Sequence, residues 1–225
     1  MIDCREVTEC SKSKVTEPWL ERWEQGRIGW HEPEGNANLK RYWPDLDNGS
    51  RVLVPFCGKA RDLIWLANRG LDIVGVELSQ IAVETFFTEH DLEYEARDEG
   101  DLVRYRSHAH PISIFCGDYF EFESKPFDAL YDRGALVAVP ADERPRYIEH
   151  TKMLLKEDAY RLIITLEYDQ SQACGPPFAV MPDEIISYWS KLEIISRHND
   201  IDNCPPKFKA AGLTEVTETV WSSRL

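Results

Sequence analysis

The sequence predicts an α/β protein built on an open, mostly parallel sheet. Short apolar runs alternate with helical patterns in the order β-α-β-α-β-β-α-β, followed by α-β-β, an alternation typical of a sheet flanked by helices. Residues 51–79 give a second indication, because a continuous apolar strand enters a glycine turn and then a helix, as at the start of a parallel βαβ unit. With 225 residues, the chain is expected to form one domain with a large core.

The N-terminal segment combines a polar tail with a cluster of tryptophans. Residues 1–16 carry few apolar side chains, and we expect them to form a loose tail. A helix is expected next, with Trp19 and Trp23 on one side, followed by a loop over 26–35 that carries Trp30. Two interpretations stay open for these rings. They either dock the helix on the core or form a lid over a ligand, since aromatic faces attract cations such as a sulfonium.

The central unit is the stretch around which the chain is organised. An apolar strand at 51–55 enters a turn at 56–59, and the following helix has apolar residues at the i, i+3, i+4, i+7 spacing of a buried face. A second apolar strand, 73–76, ends on Glu77. An acid at the tip of the second strand is where nucleotide-binding α/β folds hold a ribose.

The rest of the chain continues the alternation. A highly charged segment at 91–110 is expected to be a solvated excursion. The other predicted elements are a helix capped by Ser79, strands at 112–116 and 126–132, a helix at 142–155, a strand at 162–166, a helix at 183–189, and strands at 191–199 and 212–221.

Eight candidate site residues lie at the tips of four predicted strands, each of which delivers polar or glycine residues to the same edge of the sheet. They are Phe56, Cys57, Gly58, Glu77, Asp118, Tyr119, Asp132 and Arg133. Ligands of open α/β sheets bind outside the carboxyl ends of the strands, which predicts a nucleotide-type site here. The turn lacks the glycines that bring backbone close to a pyrophosphate. A ligand with a ribose and no phosphate is therefore favoured, namely S-adenosylmethionine, with Glu77 on the ribose and Asp118 and Tyr119 along the adenine.

Charge and cysteine usage exclude several classes of function. The net charge of −14 and the pI near 4.9 argue against a nucleic-acid or anionic-membrane partner. No apolar run approaches the length of a membrane-spanning helix, and the N-terminus lacks the apolar region of a signal peptide. The six cysteines form no CxxC pair, so neither a metal site nor a redox motif is expected. We interpret them as reduced thiols of a cytoplasmic protein.

Four stretches together resemble the thiopurine S-methyltransferase family, in particular its bacterial members. They are 19–36 (WLERWEQGRIGWHEPEGN), 51–87, with CGK in its turn, 127–155, with DRGALVA, and 166–185, with GPPF. The resemblance implies a Rossmann-like class I methyltransferase fold, with a mostly parallel seven-stranded sheet, helices on both faces and an N-terminal aromatic lid. It also implies a cytoplasmic monomer. Within a single domain at 17–225, the lid would span 17–45, the cofactor-binding core 51–169 and the substrate-side cover 170–225.

The resemblance also implies roles for individual residues. Arg133 is expected near both cofactor and substrate as the catalytic residue that favours an anionic sulfur; a salt bridge to Asp132 or Glu167 is the alternative. Lys207 stands where the family has a second basic residue, an arginine. The implied cofactor contacts are Trp19, Trp23, Trp30, Phe56, Gly58, Glu77, Asp118, Tyr119 and Arg133, and the implied substrate contacts are Trp30, Arg133, Pro176 and Lys207.

The expected reaction is methyl transfer from S-adenosylmethionine to the sulfur of a thiopurine or another aromatic or heterocyclic thiol, with S-adenosylhomocysteine as the product. An acidic thiol needs no strong base, and Cys57 lacks the partner groups of a nucleophile, so a buried thiol is favoured there. Two alternatives keep the fold. One is methylation of selenium or tellurium species, sulfide or a small natural thiol, and the other is a non-catalytic module that binds the cofactor.

Overall fold

The computed structural model describes residues 17–223, so the tail predicted for 1–16 lies outside the described residues. One nine-stranded sheet runs through this part of the chain. Its strands are β1 (Arg51–Pro55), β2 (Asp72–Glu77), β3 (Tyr94–Glu99), β4 (Leu102–Ser107), β5 (Ile112–Cys116), β6 (Phe127–Arg133), β7 (Leu155–Glu167), β8 (Leu192–Asn199) and β9 (Thr217–Ser223). The α-helices are α1 (Glu17–Glu24), α2 (Ala37–Tyr42), α3 (Asp62–Ala67), α4 (Gln80–Glu89), α5 (Arg144–Leu154), α6 (Pro182–Tyr188) and α7 (Lys207–Ala210).

The strand order is β3-β4-β5-β2-β1-β6-β7-β9-β8. The five strands β5, β2, β1, β6 and β7 are parallel neighbours, and β9 runs antiparallel between β7 and β8. The predicted α/β class with a mostly parallel sheet is therefore confirmed. Parallel strands direct their carboxyl ends to one edge, where a ligand site is expected.

The sheet has two strands more than the expected seven. They come from the charged segment that we predicted to be a solvated excursion, which instead forms the antiparallel hairpin β3–β4 and pairs through β4 with β5. Leu102 and Tyr105 of this hairpin are buried. Their apolar signal is hidden between arginines and glutamates, which explains why the sequence pattern did not reveal the hairpin.

Helices cover both faces of the sheet. Val52 and Val54 of β1 pack in one apolar cluster with α3 and α4, whereas Leu53 between them packs in another cluster with α5 and α6. Successive side chains of a strand point to opposite faces, so the two clusters lie on opposite sides. Strands buried on both faces are expected to be continuous apolar runs, as β1 and β2 are.

Some element bounds differ from the prediction. β7 has 13 residues and begins at Leu155, directly after α5. β9 begins only at Thr217, because a short helix, α7, and a turn occupy the segment before it. Among residues 17–223, no helix is both long and apolar enough to cross a membrane.

Candidate active site

A cavity of about 1130 Å³ lies at the carboxyl ends of β1, β2, β5 and β6, beneath α1 and the loop that follows it. Of the strand-tip residues predicted for the site, Asp132 does not line this cavity. The structure brings all the expected cofactor and substrate contacts to it. They are Trp19, Trp23, Trp30, Phe56, Gly58, Glu77, Asp118, Tyr119, Arg133, Pro176 and Lys207. The cavity is thus formed by the strand tips, the N-terminal segment and two loops from the C-terminal part of the chain.

The turn after β1 brings backbone to the cavity wall. Phe56 and Gly58 both have positive φ, 48° and 54°, a conformation that glycine adopts at little cost. A side chain at position 58 would also meet Trp23, because its Cβ would lie 3.2 Å from the Trp23 ring. Glycine is therefore needed at position 58 both for the turn and for the close approach of the N-terminal helix.

Glu77 is held by this turn. Its Oε2 accepts a hydrogen bond from the Gly58 N–H and its Oε1 accepts one from the Ser79 N–H, both at 2.8 Å. Burial raises the pKa of Glu77, and the two backbone donors act in the opposite direction. Each carboxylate oxygen keeps acceptor capacity beyond its one backbone partner. The arrangement is suited to two neighbouring hydroxyl groups, as on a ribose.

Asp118 and Tyr119 differ in how they meet the cavity. Asp118 is exposed, and its Oδ1 accepts the Phe120 N–H at 3.0 Å. Tyr119 is buried; its hydroxyl lies 2.9 Å from the Thr151 Oγ1, and its ring packs edge-on against Phe56. Tyr119 thus lines the cavity with a ring that is fixed by its packing against Phe56 and by its hydroxyl contact.

The three N-terminal tryptophans form one cluster. The Trp30 ring packs edge-to-face against Trp19 at 5.2 Å and against Trp23 at 6.0 Å. Trp23 is buried on the turn at Gly58, whereas Trp19 and Trp30 are half-buried at the cavity. Both interpretations of the tryptophans thus have a structural counterpart, since Trp23 docks the helix and the other two rings border the cavity.

Arg133, at the tip of β6, is bound to the N-terminal loop. Its Nη1 donates to the Trp30 carbonyl oxygen at 2.8 Å, and its Nη2 forms an ion pair with Glu32. Burial lowers the pKa of Arg133, but neighbouring groups, foremost Glu32, more than offset this and leave it raised.

The alternative prediction for Arg133, a salt bridge to Asp132 or Glu167, was wrong. Asp132 accepts hydrogen bonds from the Tyr147 hydroxyl at 2.8 Å and the Leu136 N–H at 3.0 Å. Glu167 pairs with Arg197. Asp132 adjoins Arg133 in a strand, so the two side chains point to opposite faces. The true partner, Glu32, lies 101 positions away in sequence, a distance over which the local pattern carries no pairing signal.

Glu32 belongs to a hydrogen-bond network that joins the N-terminal loop to the sheet. It accepts the Asn36 side-chain amide at 3.1 Å, and the Asn36 backbone N–H donates to Asp62 Oδ1 at 2.7 Å. Tyr131, two positions before Arg133 on β6, donates its hydroxyl to Asp62 Oδ2 at 3.0 Å. Hydrogen bonds therefore run from Arg133 through the loop and α3 back to the same strand, and they hold the loop against it.

Lys207 holds the proline loop at 174–177. Its Nζ donates to the carbonyl oxygens of Cys174 at 2.6 Å and Pro176 at 2.7 Å. Burial lowers the pKa of Lys207, and the nearby Arg22 lowers it further. The Gly175–Pro176 and Pro176–Pro177 peptide bonds are cis. Lys207 thus links α7 to the proline loop at the edge of the cavity.

Several charged cavity residues were missed by sequence reasoning. Except for Lys59, which lies in the turn after β1, they lie in helices or loops away from the strand tips. Only the His31-Glu32 pair within the loop at 26–35 gave a weak signal. The missed residues are Arg22, Arg27, His31, Glu32, Lys59, Asp62, Asp142, Glu143 and Arg146. Cys57 is buried as predicted, and burial raises the pKa of its thiol well above the usual value.

Comparisons with known proteins identify relatives over nearly the whole chain. The model of the family Thiopurine S-methyltransferase (TPMT) matches residues 14–224. A thiopurine S-methyltransferase of Bordetella petrii is 45% identical over 212 residues, covering 90% of this chain and 95% of the relative. One of Pseudomonas syringae pv. tomato is 39% identical over 211 residues, covering 90% and 94%.

Solved structures support the fold. A Burkholderia thailandensis 1,6-didemethyltoxoflavin-N1-methyltransferase with bound 1,6-didemethyltoxoflavin and S-adenosylhomocysteine aligns with a TM-score of 0.62 at 15% identity, covering 100% of this chain and 92% of that one. An S-adenosylmethionine-dependent methyltransferase of Methanosarcina mazei aligns with a TM-score of 0.58 at 14% identity, covering 84% and 98%. At this identity the two likenesses establish a shared Rossmann-like fold.

Proposed function

This chain belongs to the thiopurine S-methyltransferase family, and from that premise we propose that it transfers the methyl group of S-adenosylmethionine to the sulfur of a thiopurine or another aromatic or heterocyclic thiol. One observation carries the proposal. The Glu77 carboxylate, held by two backbone N–H groups, and the Arg133 guanidinium line one cavity beneath a tryptophan cluster. Such a cavity combines a ribose acceptor, an aromatic cover and a cation at the strand tips.

The residues present fit the cofactor. Both oxygens of Glu77 are oriented by backbone donors and can still accept from the two ribose hydroxyls. Asp118 has a second carboxylate oxygen beside the one that caps Phe120, and it can accept from the adenine amino group. Trp19, Trp23 and Trp30 would cover the sulfonium, whose charge the ring faces attract. When bound, S-adenosylmethionine supplies an electrophilic methyl group, which the substrate sulfur takes in one displacement to leave S-adenosylhomocysteine.

The protein contributes binding and alignment. Holding two reactants in a near-attack geometry removes about 7–11 kcal/mol from a barrier. Trp30 and the Gly175–Pro177 loop border the part of the cavity that we assign to the substrate ring, and Lys207 fixes this loop through its carbonyl oxygens. In our proposal Lys207 therefore shapes the substrate pocket, with its remaining N–H available to a polar substituent.

Arg133 is proposed to hold the sulfur. A guanidinium carries five N–H donors. Within residues 17–223, one bond to Trp30 and one to Glu32 occupy part of this set. The remaining donors can point at a substrate sulfur and stabilise the electron pair that attacks the methyl group.

A methyl-transfer screen tests the proposal. Purified protein is incubated with methyl-labelled S-adenosylmethionine and a panel of 6-mercaptopurine, aromatic thiols, selenite and tellurite, and methylated products are counted. We expect labelled thioethers from 6-mercaptopurine or the aromatic thiols, with turnover reduced about tenfold or more in Arg133→Lys, which keeps the charge and loses the planar fork. Cofactor binding without methylated sulfur products would refute the proposal; product only from selenite or tellurite would assign the site to those oxyanions.

The remaining expectations are part of this proposal. We assign residues 17–45 to the lid, 51–169 to the cofactor-binding core and 170–225 to the substrate-side cover. The family resemblance supports a cytoplasmic monomer, and the net charge of −14 supports a small-molecule thiol as the partner rather than nucleic acid or an anionic membrane. Sedimentation velocity tests whether the protein is a monomer, and cell fractionation tests whether it is cytoplasmic.

A further inference from the structure

The contact between Glu32 and Arg133 bears on which form of the sulfur substrate the cavity accepts. Resting on the proposed function, we propose that Glu32 determines substrate specificity by cancelling the charge that Arg133 presents to the sulfur, so that the site accepts neutral thiones alongside thiolates. The proposal gives Glu32 a role in the chemistry of the site in addition to holding the loop.

The geometry affects the charge of the Arg133 guanidinium differently from its capacity to donate hydrogen bonds. Glu32 pairs with Nη2 and the Trp30 carbonyl accepts from Nη1, while the remaining N–H groups keep their capacity to donate. Arg133 thus stays a hydrogen-bond donor, but its positive charge is balanced at contact distance. A thiolate gains mainly from the charge, whereas a neutral thiocarbonyl sulfur gains mainly from the donors.

The surroundings of Arg133 do not restore the lost charge. Asp62 is buried, faces the same network through Asn36 and Tyr131, and acts electrostatically on Arg133 in the same sense as Glu32. Glu218 acts in the same sense. These carboxylates offset the charge of Arg133 itself, while Lys59 and Lys207 are further cations of the cavity lining. A change at Glu32 is therefore expected to alter the charge preference.

Glu32 is also fixed in place. Asn36 donates its side-chain amide to it while its own Oδ1 caps α2 through the Leu39 N–H at 3.0 Å. A carboxylate held by a helix cap is oriented before substrate arrives. The side chain of Glu32 is 38% exposed and that of Arg133 is 20% exposed, so the pair is reached from the cavity rather than sealed in the core.

The test compares two substrates in the same enzyme. One is 4-methylbenzenethiol, assayed at a pH above its own pKa where it is a thiolate, and the other is 1-methylpyridine-2-thione, which has no ionisable S–H. In Glu32→Gln, the ratio of kcat/KM for the thiolate to that for the thione is expected to rise about tenfold, the factor that corresponds to 1.4 kcal/mol. Glu32→Asp, which keeps the charge, is expected to return the ratio towards wild type.

A matched control separates charge from loop loosening. Glu34→Gln changes the same charge two positions along the same loop, at a side chain that does not line the cavity, and should leave the ratio unaltered. Loss of the hydrogen bond from Asn36 in Glu32→Gln would lower kcat/KM for both substrates by the same factor, and this factor cancels in the ratio. A ratio unchanged in Glu32→Gln, with measurable turnover, overturns the proposal. Wild-type product from the thiolate but none from the thione also overturns the proposal. An absence of product from both substrates and from 6-mercaptopurine instead refutes the proposed function.

Discussion

Replacing Glu77 tests the proposed cofactor site most directly, because the carboxylate that we assign to the ribose also accepts two backbone hydrogen bonds of the protein. Its two oxygens accept the Gly58 and Ser79 N–H groups at 2.8 Å. Glu77→Ala leaves these two buried donors without an acceptor, at about 1–3 kcal/mol each. We therefore expect the free energy of unfolding to fall by about 2–6 kcal/mol.

The loss of ligand affinity has a separate origin. Two hydrogen bonds from ribose hydroxyls to a carboxylate contribute about 1.5–3 kcal/mol each, so the Kd for S-adenosylhomocysteine should rise by about a hundredfold or more. Isothermal calorimetry measures this Kd, and urea unfolding measures stability without ligand. Glu77→Gln keeps one oxygen acceptor and serves as the variant that folds if the alanine variant does not.

The control and the refuting result are both accessible. Glu84→Ala removes an exposed carboxylate from α4, the helix that follows Ser79, and should change neither quantity appreciably. A folded Glu77→Ala or Glu77→Gln protein that binds S-adenosylhomocysteine with the wild-type Kd would refute the ribose assignment. Reduced stability alone, with unchanged Kd, would reduce Glu77 to a structural residue of the turn.

Two further predictions concern the turn and the buried acid on β6. Gly58→Ala should lower the free energy of unfolding, measured with urea, by more than Gly100→Ala does. Both glycines have positive φ, which costs another residue about 1–2 kcal/mol, but only Gly58 also approaches Trp23. Equal losses of unfolding free energy in the two variants would contradict a role for this contact. Burial raises the pKa of Asp132 to about 6 from 3.8, so the folded state holds this proton more tightly. The contribution of Asp132 to the free energy of unfolding should therefore fall by about 3 kcal/mol as the pH rises from about 3 to about 7. Asp132→Asn should remove this part of the pH dependence of stability, whereas Asp98→Asn, at an exposed site, should not. The same pH dependence of stability in Asp132→Asn and in the wild type would refute the prediction.

The sequence was most informative where local pattern and chemistry coincide. The apolar run of β1, the turn at Gly58 and the acid at Glu77 lie within one βαβ unit, and their spacing alone placed them at one edge of the sheet. The tryptophan-rich start of the chain similarly identified the helix that reaches the cavity. These features depend on strand and helix periods, which short stretches of sequence encode.

Contacts between distant segments were not predicted in the same way. The hairpin β3–β4 was missed because charged residues mask its alternation, and the hydrogen bond between the buried Tyr119 hydroxyl and Thr151 was not predicted. The alternative considered for Arg133 was a salt bridge to Asp132 or Glu167, whereas its partner is Glu32. In each case the outcome depends on which faces pack together, and a local pattern does not contain that information.

The sequence by itself thus determined the parallel α/β architecture, the edge of the sheet at which the cavity lies and the chemical types assembled there, because parallel strands deliver the residues at their ends to a common edge. Only the tertiary structure decided how those residues are paired. It placed Glu32 on Arg133, Lys207 on the proline loop and Trp23 on Gly58. The physical reason is that hydrogen bonds and ion pairs act over a few ångströms in space, and the fold alone brings residues 101 positions apart within that range.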